Sequence, residues 1–250
     1  MTEFAPRGGA AGLALPPGEV QIWAVALDPP AAVAARLASS LAADERERAA
    51  RFRFERHRRQ YEVGRGALRA LLGGYLELPP GEVCFTYGER GKPSLGASPP
   101  AGSDLHFNLS NSHELALVGF ARGVEIGVDV EHQKPMADLE QIAERFFSAS
   151  ERDALRQLPA HQKQEGFFNC WTRKEAYLKA VGQGLAARLD SFDVTLVPGE
   201  APRMLTLEGD AARAARWFFQ RFEPAPDYIG ALAVEAAPPA VRTWRFIPDL

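Results

Sequence analysis

Two rhythms of apolar residues alternate along this chain, one of period two and one of period 3.6, and they do so twice in the same order. The stretch QIWAVALD (21–28) reads as a strand. Helical spacing follows near 31–54 and at about 58–77, and strands are expected near 83–87, 105–109 and 115–121. The order then recurs: strand GVEIGVDVE (123–131), helical stretches near 138–158 and 161–181, and strands near 192–197, 203–207, 216–222 and 228–235. At a shift of about 106 residues Ala43-Asp44-Glu45-Arg46 lies over Ala149-Ser150-Glu151-Arg152, and at one more Phe85 lies over Phe192. Breaks rich in proline and glycine at 79–81 and 198–202 fall at element junctions. The expected fold is therefore α+β, a pseudo-dimer of two similar α+β halves (19–122 and 123–250) with the active site in the cleft between them. Residues 1–18, interrupted by Pro16 and Pro17, read as a loosely ordered lead-in.

Within GVEIGVDVE, alternation sets Val124, Ile126, Val128 and Val130 on one face and Glu125, Gly127, Asp129 and Glu131 on the other. Carboxylates two residues apart on a strand stand roughly 7 Å apart. They repel unless water, a basic group or a cation lies between them. A half-solvated strand gives the same alternation, so the pattern alone is only the outline of a metal site. Under the internal repeat, Asp129 and Glu131 lie over Trp23 and Val25, so the acids exist in one copy only and predict a single site.

A third carboxylate stands in FFNCWTRKEAYLKAVGQG (167–184), which reads as the end of a helix stopped at Gly182 or Gly184. Glu175 and Lys179, four apart, share a face. Two structural roles compete for Glu175: a capping box with Thr172, which needs the helix to start there, and a surface ion pair with Lys179. A start nearer Ala160 removes the first of these.

Composition narrows the class. The chain has 250 residues, 46% of them hydrophobic and 24% charged, as in an ordinary globular protein. No apolar run approaches a membrane span or a signal peptide's core, and the two cysteines, Cys84 and Cys170, read as reduced packing residues of a cytoplasmic protein. Net charge is −3, yet nine arginines and only five acids fall between Asp44 and Arg69. A solvated helix laced with ion pairs and a surface for a compact anion both fit that cluster; nucleic acid does not, in an acidic chain without a binding motif.

GVDVE followed about forty residues later by WTRKEAYLKAVGQGL resembles the signature of phosphopantetheinyl transferases of the surfactin-synthetase-activating type, and the resemblance extends through GERGKPSL (88–95) and FNLSNS (107–112). It spans roughly residues 20–235. The resemblance implies transfer of the phosphopantetheine arm of coenzyme A to a serine of an acyl or peptidyl carrier protein, with Mg²⁺, on a pseudo-dimeric α+β fold. It implies Asp129, Glu131 and Glu175 as metal ligands, and Glu175, directly or through a water, as acceptor of the serine proton. Lys179 matches a lysine near the diphosphate, while Lys174, Lys92, Ser110 and Arg48 match coenzyme contacts. The family often has histidine where this chain has Asn111, and His113 lies two positions on. Asparagine can donate a hydrogen bond to phosphate but carries no charge, and His113 either compensates or is a lone surface histidine.

Such residues suit this chemistry, because moving a phosphoryl-linked arm requires neutralised phosphate and an aligned hydroxyl more than covalent help. Hard oxygen ligands in an open site suit magnesium, whereas scattered histidines and distant cysteines do not build a softer metal site. A metal-dependent phosphodiesterase that removes the arm and a catalytically silent module that binds coenzyme A or a carrier are the competing functions. The duplication predicts that a monomer supplies both halves.

Overall fold

The structure is a computed structural model that describes residues 3–88, 91–96, 104–182 and 188–248. The chain divides into two units, Glu3–Gly123 with Val241–Leu250, and Val124–Ala240 with the first two residues. Both are α+β.

In the first unit β1 (Ala5–Gly8) and β2 (Glu19–Ala26) lead into α1 (Ala31–Ser39), α2 (Ala43–Ala50) and the 22-residue α3 (Glu55–Leu76). A short ribbon, β3 (Phe85–Tyr87) and β4 (Pro93–Leu95), precedes the hairpin β5 (Leu105–Ser112) and β6 (Leu115–Arg122). The second unit repeats this. Strand β7 (Ile126–His132) leads to α4 (Leu139–Phe146), α5 (Ala149–Gln157) and α6 (Ala160–Val181), again 22 residues long. A ribbon of β8 (Phe192–Val194) and β9 (Met204–Leu207), the short α7 (Ala211–Ala214) and the hairpin β10 (Trp217–Phe222) and β11 (Tyr228–Glu235) complete it. β2 and β7 each pair antiparallel with the second strand of the hairpin that follows in their unit, which pairs with the first: β2-β6-β5 and β7-β11-β10.

The last strand departs from the expected partition. β12 (Ala240–Ile247) returns to the first unit and inserts between β1 and β2, giving the sheet order β1-β12-β2-β6-β5. Arg242 pairs with Glu19 at 2.9 Å, and the Arg7 guanidinium lies over the rings of both Trp23 and Trp244. The expected loose lead-in is likewise built into this unit, because β1 pairs parallel with β12 and Phe4, Leu13 and Leu15 are buried. Each predicted long helix of 31–54 and 138–158 is broken in two, the second by Ser148, whose hydroxyl accepts from the Glu151 amide while the Glu151 carboxylate accepts from the Ser148 amide. Cys170 is buried as expected. Cys84 is exposed, so it is not a packing residue.

Candidate active site

Helix α6 positions the chemistry. It begins at Ala160, so Thr172 lies mid-helix, where its hydroxyl donates to the Phe168 carbonyl at 2.8 Å and no capping box forms. It ends at Gly182, whose φ of 70° is the left-handed stop, while Gly184 lies outside the described residues. The helix packs on β7 at Gly127, where a Cβ would overlap the Ala176 carbonyl oxygen and the Ala180 amide nitrogen. The polar face of β7 is therefore covered by helix at Gly127 and Asp129, the latter 3% exposed, while Glu131 is half-buried.

This close approach brings the predicted acids together. Lys179 pairs with Asp129 Oδ1 at 2.6 Å, so it is tied to the strand rather than left as a surface partner of Glu175. Burial raises the Glu175 carboxyl to about 7, assisted by the negative charges of Asp129 and Glu131 and opposed by the Lys179 ammonium. All four groups thus act on one locus. Glu175 Oε1 is buried without a hydrogen-bond partner. Among the described residues no three His, Cys, Asp or Glu side chains converge as they stand to hold a metal ion. The donor set nonetheless fits a hard cation: three carboxylates, one of them with an orphaned buried oxygen.

Lys174 does not belong to this locus. Its side chain is 1% exposed, and its ammonium lies 2.8 Å from Glu151 Oε2, donates to the Leu189 and Phe192 carbonyls at 2.6 Å each, and sits over the Phe192 ring. A cation so saturated by its own chain is a structural tie, and the coenzyme contact expected of it is not available. The first unit holds the twin of this tie. Glu45 accepts from the Ala42 amide at the start of α2 and from Arg69 Nε at 2.6 Å, and Arg69 Nη1 donates to the Pro80 and Val83 carbonyls. The internal repeat aligns Glu45 with Glu151 at a shift of 106, and aligning the two long helices by their starts, Glu55 and Ala160, a shift one residue shorter, places Arg69 against Lys174.

The remaining coenzyme candidates lie in the first unit. Arg48 lies over the Tyr61 ring and lines a cavity of about 610 Å³ shared with Tyr87, Phe52 and Gly91, the residue before Lys92. Ser110 is buried and Asn111 exposed, and as neighbours on β5 they point to opposite faces. His113 occupies the β5–β6 turn with φ 53°, its Nδ1 3.0 Å from Arg56 Nη2, and its carbonyl accepts from Gln60. It is therefore part of a polar cluster and not a lone surface group.

No helix among the described residues is long and apolar enough to cross a membrane. Two family models match consecutive parts of the chain: "4'-phosphopantetheinyl transferase, N-terminal" over residues 27–122 and "4'-phosphopantetheinyl transferase superfamily" over 125–233. Their junction coincides with that of the two units. The 4'-phosphopantetheinyl transferase HetI of Nostoc sp. is 42% identical over 228 residues, 91% of this chain and 92% of that one. A phosphopantetheinyl transferase of Thraustochytrium sp. is 31% identical over 88% of this chain and 80% of its own, and 4'-phosphopantetheinyl transferase Sfp of Bacillus subtilis is 31% identical over 64% and 69%. Matched by the two family models in turn and by HetI over nearly its whole length, the chain belongs to the 4'-phosphopantetheinyl transferase superfamily.

Proposed function

We propose that the chain moves the phosphopantetheine arm of coenzyme A onto a serine of an acyl or peptidyl carrier protein, with Mg²⁺, as a cytoplasmic monomer. The observation that carries the reading is the mutual charge coupling of Glu175, Asp129, Glu131 and Lys179 on one helix–strand contact. Asp129, Glu131 and Glu175 would hold the ion, which when bound supplies positive charge against the coenzyme diphosphate. Arg48, Lys92, Ser110 and Asn111 are the proposed coenzyme contacts. Lys174, whose ammonium is paired with Glu151 and two backbone carbonyls, is left out of this set.

The serine Oγ attacks the phosphorus that carries the arm. A new O–P bond forms as the bond to the other half of the diphosphate breaks, and adenosine 3',5'-bisphosphate leaves with the electron pair. Glu175, directly or through a water, takes the serine proton. In the metal-free chain that carboxyl is raised to about 7, and a bound cation would favour its ionised form, the form that can accept the proton. Lys179 meets the charge on the departing phosphate. The relatives favour this reading over arm hydrolysis or silent binding. Incubation with coenzyme A, Mg²⁺ and an apo carrier, followed by weighing the carrier, decides among them. Gain of the arm is expected; loss of the arm from a pre-loaded carrier, or no change in mass, would overturn the proposal.

A further inference from the structure

We propose that Arg53, Phe54, Arg56, His57 and Arg58, at the junction of α2 and α3, are the docking surface for an acidic face of the carrier protein; this rests on the transferase reading above. Residues 51–58 are exposed without interruption. Phe54, the N-cap of α3, is 57% exposed, the most of any large hydrophobic side chain among the described residues. Its ring is nevertheless held in place, with the Arg53 guanidinium 5.4 Å away and the His57 ring edge-on at 5.6 Å. Arg56 and Arg58 make surface ion pairs with Glu114 and Glu55, whereas Arg53 makes none among the described residues.

The second unit supplies an internal comparison. Its long helix starts at the same place in the topology, with Pro159 at the N-cap and Leu158, 8% exposed, before it. There the N-cap position of Phe54 is taken by an exposed proline and the residue before it is buried, so no large aromatic side chain stands out at that N-cap. In the first unit the same junction leaves a phenylalanine more than half exposed, an arrangement that forgoes much of the stabilisation its burial would give. An exposed aromatic in contact with an arginine and a histidine, on a segment rich in arginine, is the composition of an interface anchor rather than of a solvated face. The chain as a whole is acidic at −3, so this positive surface is local and complements an acidic partner.

The test is the double variant Arg53→Glu/Phe54→Ala, with Arg53→Lys as the charge-preserving control. Steady-state kinetics with apo carrier and coenzyme A should show the carrier KM raised about tenfold, with kcat, coenzyme KM and melting temperature unchanged. Arg53→Lys should stay near wild type. Added salt should raise the carrier KM of the wild type more than that of the variant. An unchanged carrier KM, or a rise in coenzyme KM instead, overturns the proposal. Calorimetric binding of the unreacted apo carrier separates the two readings: a wild type that binds carrier but loads no arm defeats the transferase reading alone, and equal binding by wild type and variant defeats the docking surface alone.

Discussion

Glu175→Gln should stabilise the metal-free protein while abolishing transfer. In the folded chain the Glu175 carboxyl titrates at about 7 rather than the usual 4.5, principally because it is buried. Below pH 4.5 it is protonated in both folded and unfolded states and costs nothing. As pH rises through 4.5 the unfolded chain ionises first, the folded state binds the extra proton, and stability falls until the folded carboxyl has also ionised above 7. A shift from 4.5 to about 7 corresponds to roughly 3 kcal/mol, which partial solvent access reduces to about 2. Glutamine mimics the protonated form at every pH. Urea denaturation in EDTA should therefore show the variant about 2 kcal/mol more stable than wild type at pH 8 and nearly equal to it at pH 4. Saturating Mg²⁺ should raise the stability of the wild type more than that of the variant. A variant no more stable than wild type at pH 8, or an increment independent of pH, would refute the argument that burial and like charges strain this carboxylate.

Lys174→Met should destabilise by about 3–5 kcal/mol in urea, because it strands the buried Glu151, whereas Lys174→Arg should retain most of the stability, since arginine does the same work at Arg69. Gly127→Ala should lift α6 from β7 and cut turnover much more than coenzyme binding, measured by kinetics and calorimetry in parallel; equal effects on both would show that the helix–strand spacing does not set the acids. Asp129→Ala should remove the Lys179 partner and flatten the dependence of transfer on magnesium concentration. A chain ending at Pro239 should lose the strand between β1 and β2 and with it the cooperative unfolding of the first unit, read by near-ultraviolet circular dichroism during a urea titration.

The order of elements was legible because each unit's strands and helices announce themselves by local period, and the duplication doubled the signal. The acids were legible because Asp129 and Glu131 are locked to alternate strand positions and Glu175 to a helix turn. What stayed hidden was tertiary. β12 is a strand by composition, but nothing local in AVRTWRFI says that it crosses back to pair beside β2. Lys174 was expected at the coenzyme because it matches the family motif, while the partner that buries it, Glu151, lies on another helix.

The two long helices show why only one copy carries the chemistry. Both have 22 residues, starting at Glu55 and Ala160, so Arg69 and Lys174 occupy the same turn, Ala70 matches Glu175 and Gly74 matches Lys179. Both copies keep the buried cation that ties the long helix to the acid of the preceding helix. They differ one position later. At Gly74 the first unit brings the Ala10 carbonyl so close that any Cβ would overlap it, so its own N-terminal segment covers the helix face where the second unit presents Lys179. Ala70 leaves no carboxylate beside it. A lysine at position 74 would have to displace that segment before it could meet any phosphate, which is why acids grafted onto Ala70 and the first strand would not by themselves create a second centre. The shared tie holds the helix in each unit; what covers the next turn decides whether that turn is packing or chemistry.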